Sequence, residues 1–475
     1  MIAPLPILAV DLDGTLVRTD MLHECFWHAL ARDPKALIAS SRFLLSGRAK
    51  YKQALVRHAR VDVGQLPYNT EVIDYVIAWR KHGGRTMLVT ATDQSIADEI
   101  AAHLGIFDEA LGSNGNTNLK GAAKGAHLAG RFGEKGFAYI GDSRSDVAVW
   151  SKAARIVTVN ASPSLRRHAE ALNALSEHIA SDERSLRPYI EALRPHQWLK
   201  NLLVFVPMLG QHNFAAETIL QSFLAFIAFC MVASGGYLVN DLLDLSADRV
   251  HLRKRERPLA SGALSILHGS LLAPALCILG FTIAFGVNSS LPAVIFVYFL
   301  LSMSYSLYLK RRMIIDIFML TGLYTLRIFA GSVATDISLS VWLLAFSFFL
   351  FLALASVKRQ AELVDGVRNG KSELRGRGYQ TSDLPIVTQF AVSSGLVAVL
   401  VLALYLTSTT VLQLYRTPEA LWGICLVLTY WMLRTVMVAH RGDLHDDPLI
   451  FAVKDRVSLA CGLLIGGFAL VAIFL

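Results

Sequence analysis

Two groups of residues in this chain have types and spacings suited to chemistry on phosphates. The first begins with Asp11-Leu12-Asp13-Gly14-Thr15. The apolar run at 6–10 reads as a buried strand, and carboxylates at i and i+2 just past its end point the same way. Gly14 lets the backbone approach a phosphate. Thr90 closes a second strand, 85–90, with a hydroxyl that can hold a phosphate oxygen. Lys124, with Lys120 as its rival, supplies a cation, and Gly141-Asp142-Ser143-Arg144-Ser145-Asp146 brings further carboxylates for Mg²⁺. Such groups belong at the C-terminal ends of parallel strands, where open α/β sheets bind ligands.

The second group is Asn240-Asp241-Leu242-Leu243-Asp244-Leu245-Ser246-Ala247-Asp248-Arg249, at the end of a long apolar segment. The i, i+3, i+7 spacing of Asp241, Asp244 and Asp248 puts them on one face of a helix. Three carboxylates there suit Mg²⁺ bridging to a diphosphate, and no basic residue lies at a spacing that would neutralise them in place. The basic loop 251–262, with Arg253, Lys254, Arg255 and Arg257, abuts the cluster directly.

These residues need two kinds of scaffold. Up to Pro195, 45 of 195 residues are Asp, Glu, Lys or Arg, and from His196 only 37 of 280 are. The first part alternates strands (6–10, 85–90, 137–141, 155–159) with helix-like stretches, which predicts an α/β fold with a parallel sheet. Beyond Arg194 come nine apolar segments, at 198–210, 216–239, 268–288, 291–309, 314–335, 341–357, 384–406, 419–438 and 457–475. Most are long enough to span the roughly 30 Å hydrocarbon core of a bilayer. The expected division is a domain at 1–165, a helical linker at 166–193 and an all-α membrane domain at 194–475.

The mean hydropathy of +0.46 and the charged fraction of 17% exclude both an ordinary soluble enzyme and a disordered chain. The net charge of +8 is mostly a topology signal. If the soluble part is cytoplasmic, nearly all Lys and Arg of the loops fall on the inner side and only Arg416 on the outer. That arrangement places the C-terminus outside and removes most support for nucleic-acid binding. The five cysteines have no metal or disulfide spacing, so the soluble part reads as facing a reducing compartment. The N-terminal run reads as a strand and not as a signal peptide.

The order Asp11/Asp13, Thr90, Lys124, Asp142/Asp146 resembles the haloacid dehalogenase (HAD) phosphatase superfamily over about residues 5–160. The resemblance implies Asp11 as nucleophile through an aspartyl-phosphate and Asp13 as general acid/base. It implies Thr90 and Lys124 on the phosphoryl oxygens, Mg²⁺ among Asp11, Asp13, Asp142 and Asp146, and a substrate-selecting cap at about 18–75.

The Asp-rich motif and its basic loop resemble the UbiA superfamily of intramembrane prenyltransferases over about residues 190–475. Further residues narrow the likeness to the decaprenyl-phosphate phosphoribosyltransferases. They are Arg194-Pro195-His196-Gln197-Trp198-Leu199-Lys200-Asn201, Tyr305-Ser306 with Leu309-Lys310, Asp316, Arg327, Lys358-Arg359 with Glu362-Leu363, Asp447-Pro448 and Asp455-Arg456. Many superfamily members carry a second Asp-rich motif where this chain has the mixed Lys358-Arg359-Gln360-Ala361-Glu362-Leu363-Val364-Asp365, which suits an anionic acceptor better than a neutral one.

The resemblance implies Mg²⁺ at Asp241, Asp244 and Asp248 with Asn240 beside it. Lys200, Arg255, Lys310, Lys358 and Arg359 are the candidate phosphate clamps. The implied substrates are phosphoribosyl pyrophosphate (PRPP) and a polyprenyl phosphate, and a second copy of the chain is an allowed partner. The joint expectation is a plasma-membrane enzyme that makes a phosphoribosyl lipid and then removes its 5-phosphate. An aromatic prenyltransferase of quinone synthesis beside an unrelated phosphatase is the alternative, and a transporter or lipid scaffold is another.

Overall fold

The computed structural model describes residues 5–33, 35, 48–114, 118–173, 175–180, 185–374, 377–408, 411, 415–444 and 447–474. Part of the expected cap, at 34 and 36–47, lies outside them. The chain forms two compact units. One comprises Met1–Leu193 with Tyr237–Ala273, the other Arg194–Gly236 with Pro274–Leu475.

The first unit holds a sheet that, among the described residues, has six parallel strands in the order β3-β2-β1-β4-β5-β6. The strands are β1 Ile7–Val10, β2 Thr86–Asp93, β3 Glu109–Ser113, β4 Phe137–Gly141, β5 Arg155–Val159 and β6 Ser176–Ile179. The central strands are near-continuous apolar runs because both sheet faces are covered. Alternation sorts them: Leu8, Val10, Leu88 and Ile140 pack into one core, Ile7, Ala9, Met87 and Tyr139 into the other.

The chain order reverses on either side of β1, so the ends of β1 and β4 flank the crevice that such sheets offer to ligands. The α/β expectation holds, with two strands added. β3 (Glu-Ala-Leu-Gly-Ser) carries no β-branched residue and gives no strand signal. β6 falls in the stretch expected as a helical linker, yet it pairs with β5 from Ile156↔Ser176 to Val159↔Ile179. β2 runs on to Asp93, so Thr90 lies inside the strand and not at its end.

Helix α1, Met21–Arg32, follows β1 and is capped by the Asp20 carboxylate on the Leu22 and His23 N–H groups. The same unit holds the Asp-rich segment. The helix Ala216–Leu243 ends there, Asp244 interrupts it, and Leu245–Val250 resumes. The i−4 backbone bonds from Asp244 to Asn240 and from Asp248 to Asp244 run across the break.

The chain is a multi-pass membrane protein. Among the described residues seven helices are long and apolar enough to cross a bilayer: Ala216–Leu243, Ile266–Val287, Ile315–Thr335, Val341–Arg368, Thr381–Leu406, Pro418–His440 and Arg456–Phe474. Leu291–Leu307 is a shorter apolar helix. The expectation of nine spans needs correction at its first member. Residues 195–210 form a 3₁₀ stretch, Pro195–Phe205, and a short helix, Val206–Gly210, and Pro207 lacks the N–H that would carry one helix through their junction. Four hydroxyls inside the apolar helices are satisfied locally: Thr321, Ser356, Thr429 and Thr435 donate to the carbonyl four residues back.

Candidate active sites

The first centre stands at the ends of β1 and β4. Asp11 follows β1, and its Oδ1 accepts from Lys124 Nζ at 2.6 Å and from the Leu12 N–H at 2.9 Å. Lys124, on the helix Ala122–Phe132, also donates to the Tyr139 hydroxyl at 2.8 Å, which donates on to Asp146 Oδ1 at 2.9 Å. Asp146 takes the Ser143 N–H and hydroxyl on its other oxygen, at 3.0 and 2.8 Å. Asp142 accepts from Thr15 Oγ1 at 3.4 Å. Gly14 makes this packing feasible: its φ is +75°, and a Cβ there would lie 2.4 Å from Asp142 Oδ2.

Asp11, Asp142 and Asp146 each offer a carboxylate oxygen, all within 4.8 Å of one another. Three carboxylates against one ammonium, in a buried place, demand a cation. Burial pushes the Asp11 carboxyl up to about 7, against the pull of Lys124 and with Asp146 and Asp13 adding to the rise. Burial, Asp11 and Asp146 hold Asp142 well above the carboxylate range. A divalent cation fits this donor set.

Asp13, expected among the metal ligands, stands apart from that trio. Its Oδ1 takes the Met21 N–H at 2.7 Å and its Oδ2 the Thr92 hydroxyl at 3.1 Å, which turns its carboxylate toward α1 and the end of β2. Thr90 is fully buried and its hydroxyl accepts from the Thr92 N–H at 3.0 Å. Lys120 precedes the helix that carries Lys124, and the ammonium bonded to Asp11 is that of Lys124. Thr92 and Tyr139 were not legible as site residues. Tyr139 left one trace, a hydroxyl in an otherwise apolar strand.

In the Asp-rich segment the expectation of carboxylates without a basic partner is overturned. Arg257 Nη1 bridges Asp241 Oδ1 at 3.0 Å and Asp248 Oδ2 at 2.6 Å. It comes from the basic loop, which folds back on the helix, so linear spacing hid the pairing. Asp244 accepts from Asn240 Nδ2 at 3.1 Å. Burial raises the Asp248 carboxyl although Arg257 opposes it. Arg255 is exposed on the same loop.

In the second unit Lys200 and Lys358 converge on one carboxylate. Both ammoniums donate to Asp447 Oδ2, at 2.8 and 3.0 Å, and the Tyr324 hydroxyl reaches both of its oxygens at 3.2 Å. Burial and the neighbouring Lys358 lower the Lys200 ammonium to about 8, against Asp447. Burial alone would raise Asp447, but Lys358 and Lys200 hold it well below the carboxylate range. Arg359 departs from the expectation of a phosphate clamp. It is fully buried, lies 2.5 Å from Asp316 Oδ2 and pairs with Glu362, so its charge is spent inside the protein. Lys310 is half-buried on the 3₁₀ turn Leu309–Arg311. Arg327 donates to Asn201 Oδ1 at 2.8 Å and to the Tyr298 hydroxyl at 2.9 Å, so the motif residues Lys200, Asn201, Arg327, Lys358 and Asp447 fall into two polar clusters, buried except at the half-buried Lys358.

Comparison with known proteins assigns both halves. The UbiA prenyltransferase family model matches residues 204–461. The chain belongs to the UbiA prenyltransferase family. A haloacid dehalogenase-like hydrolase model matches residues 8–150, so the UbiA domain is fused to a HAD-like domain. The fusion extends to a relative: an uncharacterized protein of Sinorhizobium fredii is 36% identical over 97% of this chain and 90% of its own length. A decaprenyl-phosphate phosphoribosyltransferase of Mycolicibacterium smegmatis is 31% identical over 56% of this chain and 86% of its own length. A UbiA homologue from Archaeoglobus fulgidus, solved with DMAPP and Mg²⁺, covers 60% of this chain and all of its own, at 18% identity and a TM-score of 0.46.

Proposed function

We propose that the UbiA domain transfers 5-phosphoribose from PRPP to a polyprenyl phosphate with release of pyrophosphate. The HAD-like domain then hydrolyses the 5-phosphate to give polyprenyl-phosphoryl ribose, a precursor for arabinose-containing envelope glycans. The likeness to the Mycolicibacterium smegmatis enzyme over 86% of its length carries this reading. The paired ammoniums of Lys200, buried, and Lys358, half-buried, support it, since two cations converging on one carboxylate leave positive charge suited to an anionic acceptor.

In the transferase, Asp241, Asp244 and Asp248, with Asn240, would hold Mg²⁺ against the pyrophosphate of PRPP. The metal supplies neutralisation of the charge gathering on that leaving group. Lys200 and Lys358 hold the acceptor phosphate, whose oxygen attacks ribose C1 as the bond to pyrophosphate breaks. In the hydrolase, Asp11, Asp142 and Asp146 would hold Mg²⁺, which screens the charge of the phosphoryl group. Asp11 attacks phosphorus, Asp13 protonates the departing ribose oxygen and later takes a proton from water, and Thr90 and Lys124 hold the phosphoryl oxygens. Residues 1–165 and 194–475 carry the two activities, both opening to the cytoplasm at the plasma membrane. The shared compact unit of Met1–Leu193 and Tyr237–Ala273 supports a common side for the two Asp clusters.

Membranes containing the chain, given labelled PRPP and polyprenyl phosphate, should form labelled ribosyl lipid, and Asp241→Asn should abolish it. Asp11→Asn should instead accumulate the 5-phosphorylated lipid. Label entering lipid only from a prenyl diphosphate and an aromatic acceptor would refute the transfer, and no phosphorylated lipid in Asp11→Asn would refute the sequence of steps.

A further inference from the structure

The loop that brings Arg257 to Asp241 and Asp248 is tied to the hydrolase sequence by a buried clasp. Arg249, directly after Asp248, is nearly buried, and the Glu24 carboxylate on α1 is fully so. Arg249 Nη1 donates to Glu24 Oε2 at 3.1 Å, Nη2 pairs with Glu24 Oε1, and Nε donates to the Ala260 carbonyl at 3.0 Å. One guanidinium therefore fixes Glu24, the helix Leu245–Val250 and the far end of the loop together. His28 Nδ1 lies 3.6 Å from Glu24 and also contacts the Glu24 carbonyl. Two further contacts lie outside the ion pair. Gly262, at φ +77°, lies so close that a Cβ would stand 2.7 Å from Arg18 Cβ, and Trp27 Nε1 donates to Ser270 Oγ at 2.8 Å.

We infer that Glu24, a residue of the hydrolase sequence, is a positioning residue for the transferase. Through Arg249 and Ala260 it holds the loop that sets Arg257 between Asp241 and Asp248, and so it tunes how that carboxylate pair takes up Mg²⁺ with a diphosphate. A buried carboxylate facing a buried guanidinium leaves an uncompensated charge when either is removed, so the loop cannot keep its place without the pair. The inference rests on the transferase reading for its kinetic consequence, but the clasp itself can be tested without it.

The experiment uses the full chain in detergent, as wild type, Glu24→Gln, Arg249→Gln and Trp27→Phe. Both charge variants should lower the Mg²⁺ half-saturation of ribosyl transfer at least fivefold, because a displaced Arg257 no longer competes for Asp241 and Asp248, with turnover at saturating Mg²⁺ within twofold. Trp27→Phe, which keeps the pair, should behave as wild type. Hydrogen exchange should rise in 249–262 and stay unchanged in β1 and β4. An unchanged half-saturation in both charge variants, or unchanged exchange in 249–262, overturns the inference. If wild type transfers no ribose, the function proposed above fails and the exchange result alone decides the clasp. Should Glu24→Gln also loosen β1 and β4, Glu24→Asp must give the selective rise in 249–262, and its absence overturns the inference.

Discussion

At the scale of single residues, each centre is a contest between burial and countercharge. Asp11, Asp142 and Asp146 have one ammonium among them, Lys124, and the Tyr139 hydroxyl relays between that ammonium and Asp146. Lys200 and Lys358 show the opposite balance, two cations on the single carboxylate of Asp447. On the proposed function, this balance makes the acceptor step sensitive to alkali. The Lys200 ammonium is charged below its lowered value of about 8 and loses its charge as pH rises through it. The KM for the polyprenyl phosphate should therefore climb above pH 8 while the KM for PRPP stays level. Lys200→Arg should flatten that rise. Lys200→Ala should raise the acceptor KM about tenfold or more at pH 7, as expected for a lost hydrogen bond between charged groups. Steady-state kinetics between pH 6.5 and 9.5 (roughly one unit either side of the transition is the minimum) decide it, and an acceptor KM independent of pH in the wild type contradicts the role.

At the scale of elements, turns and breaks place the reacting groups. β1 delivers Asp11 and Asp13, and the left-handed Gly14 lets Asp142 close over the turn. Gly14→Ala should push the Asp142 carboxylate out of the trio and add backbone strain. A displacement of about 1 Å costs on the order of 100-fold in rate. On the proposed function, hydrolysis of the phosphorylated lipid should fall by about that factor while ribosyl transfer and helix content hold. A variant that hydrolyses at the wild-type rate would show the turn to be tolerant. The interruption at Asp244 does comparable work in the other centre, because the continuing i−4 bonds keep Asp241 and Asp248 within reach of one guanidinium.

At the scale of the whole molecule, a UbiA-family transferase and a HAD-like hydrolase share one chain, and the hydrolase sequence joins the Asp-rich segment in one compact unit. For a lipid intermediate, tethering raises the effective concentration of the second site. The orientation is open to direct measurement. Arg255 is exposed on the loop after the Asp cluster, whereas Cys25, Cys230, Cys425 and Cys461 are buried and Cys277 is half-buried. An Arg255→Cys variant should react with a membrane-impermeant maleimide in inverted vesicles and stay unlabelled in intact cells. Labelling from outside the cell would reverse the proposed orientation.

The linear order of motifs by itself determined the two families, the parallel α/β class and the apolar helices, and it nominated the acidic candidates. These signals are local: an Asp past a buried strand, or carboxylates at helical spacing, keep their meaning whatever the rest of the chain does. Tertiary structure alone decided the partners. Arg257 reaches carboxylates nine and sixteen residues back through a loop. Asp447 gathers lysines 247 and 89 residues away, and Glu24 meets Arg249 across 225 residues. It also withdrew Arg359 from the phosphate-binding set by burying it against Asp316, turned Asp13 away from the carboxylate trio and recovered β6 from an expected linker. Those outcomes depend on which buried charges find each other when the chain folds, and the energy of an uncompensated buried charge is large enough to dictate them.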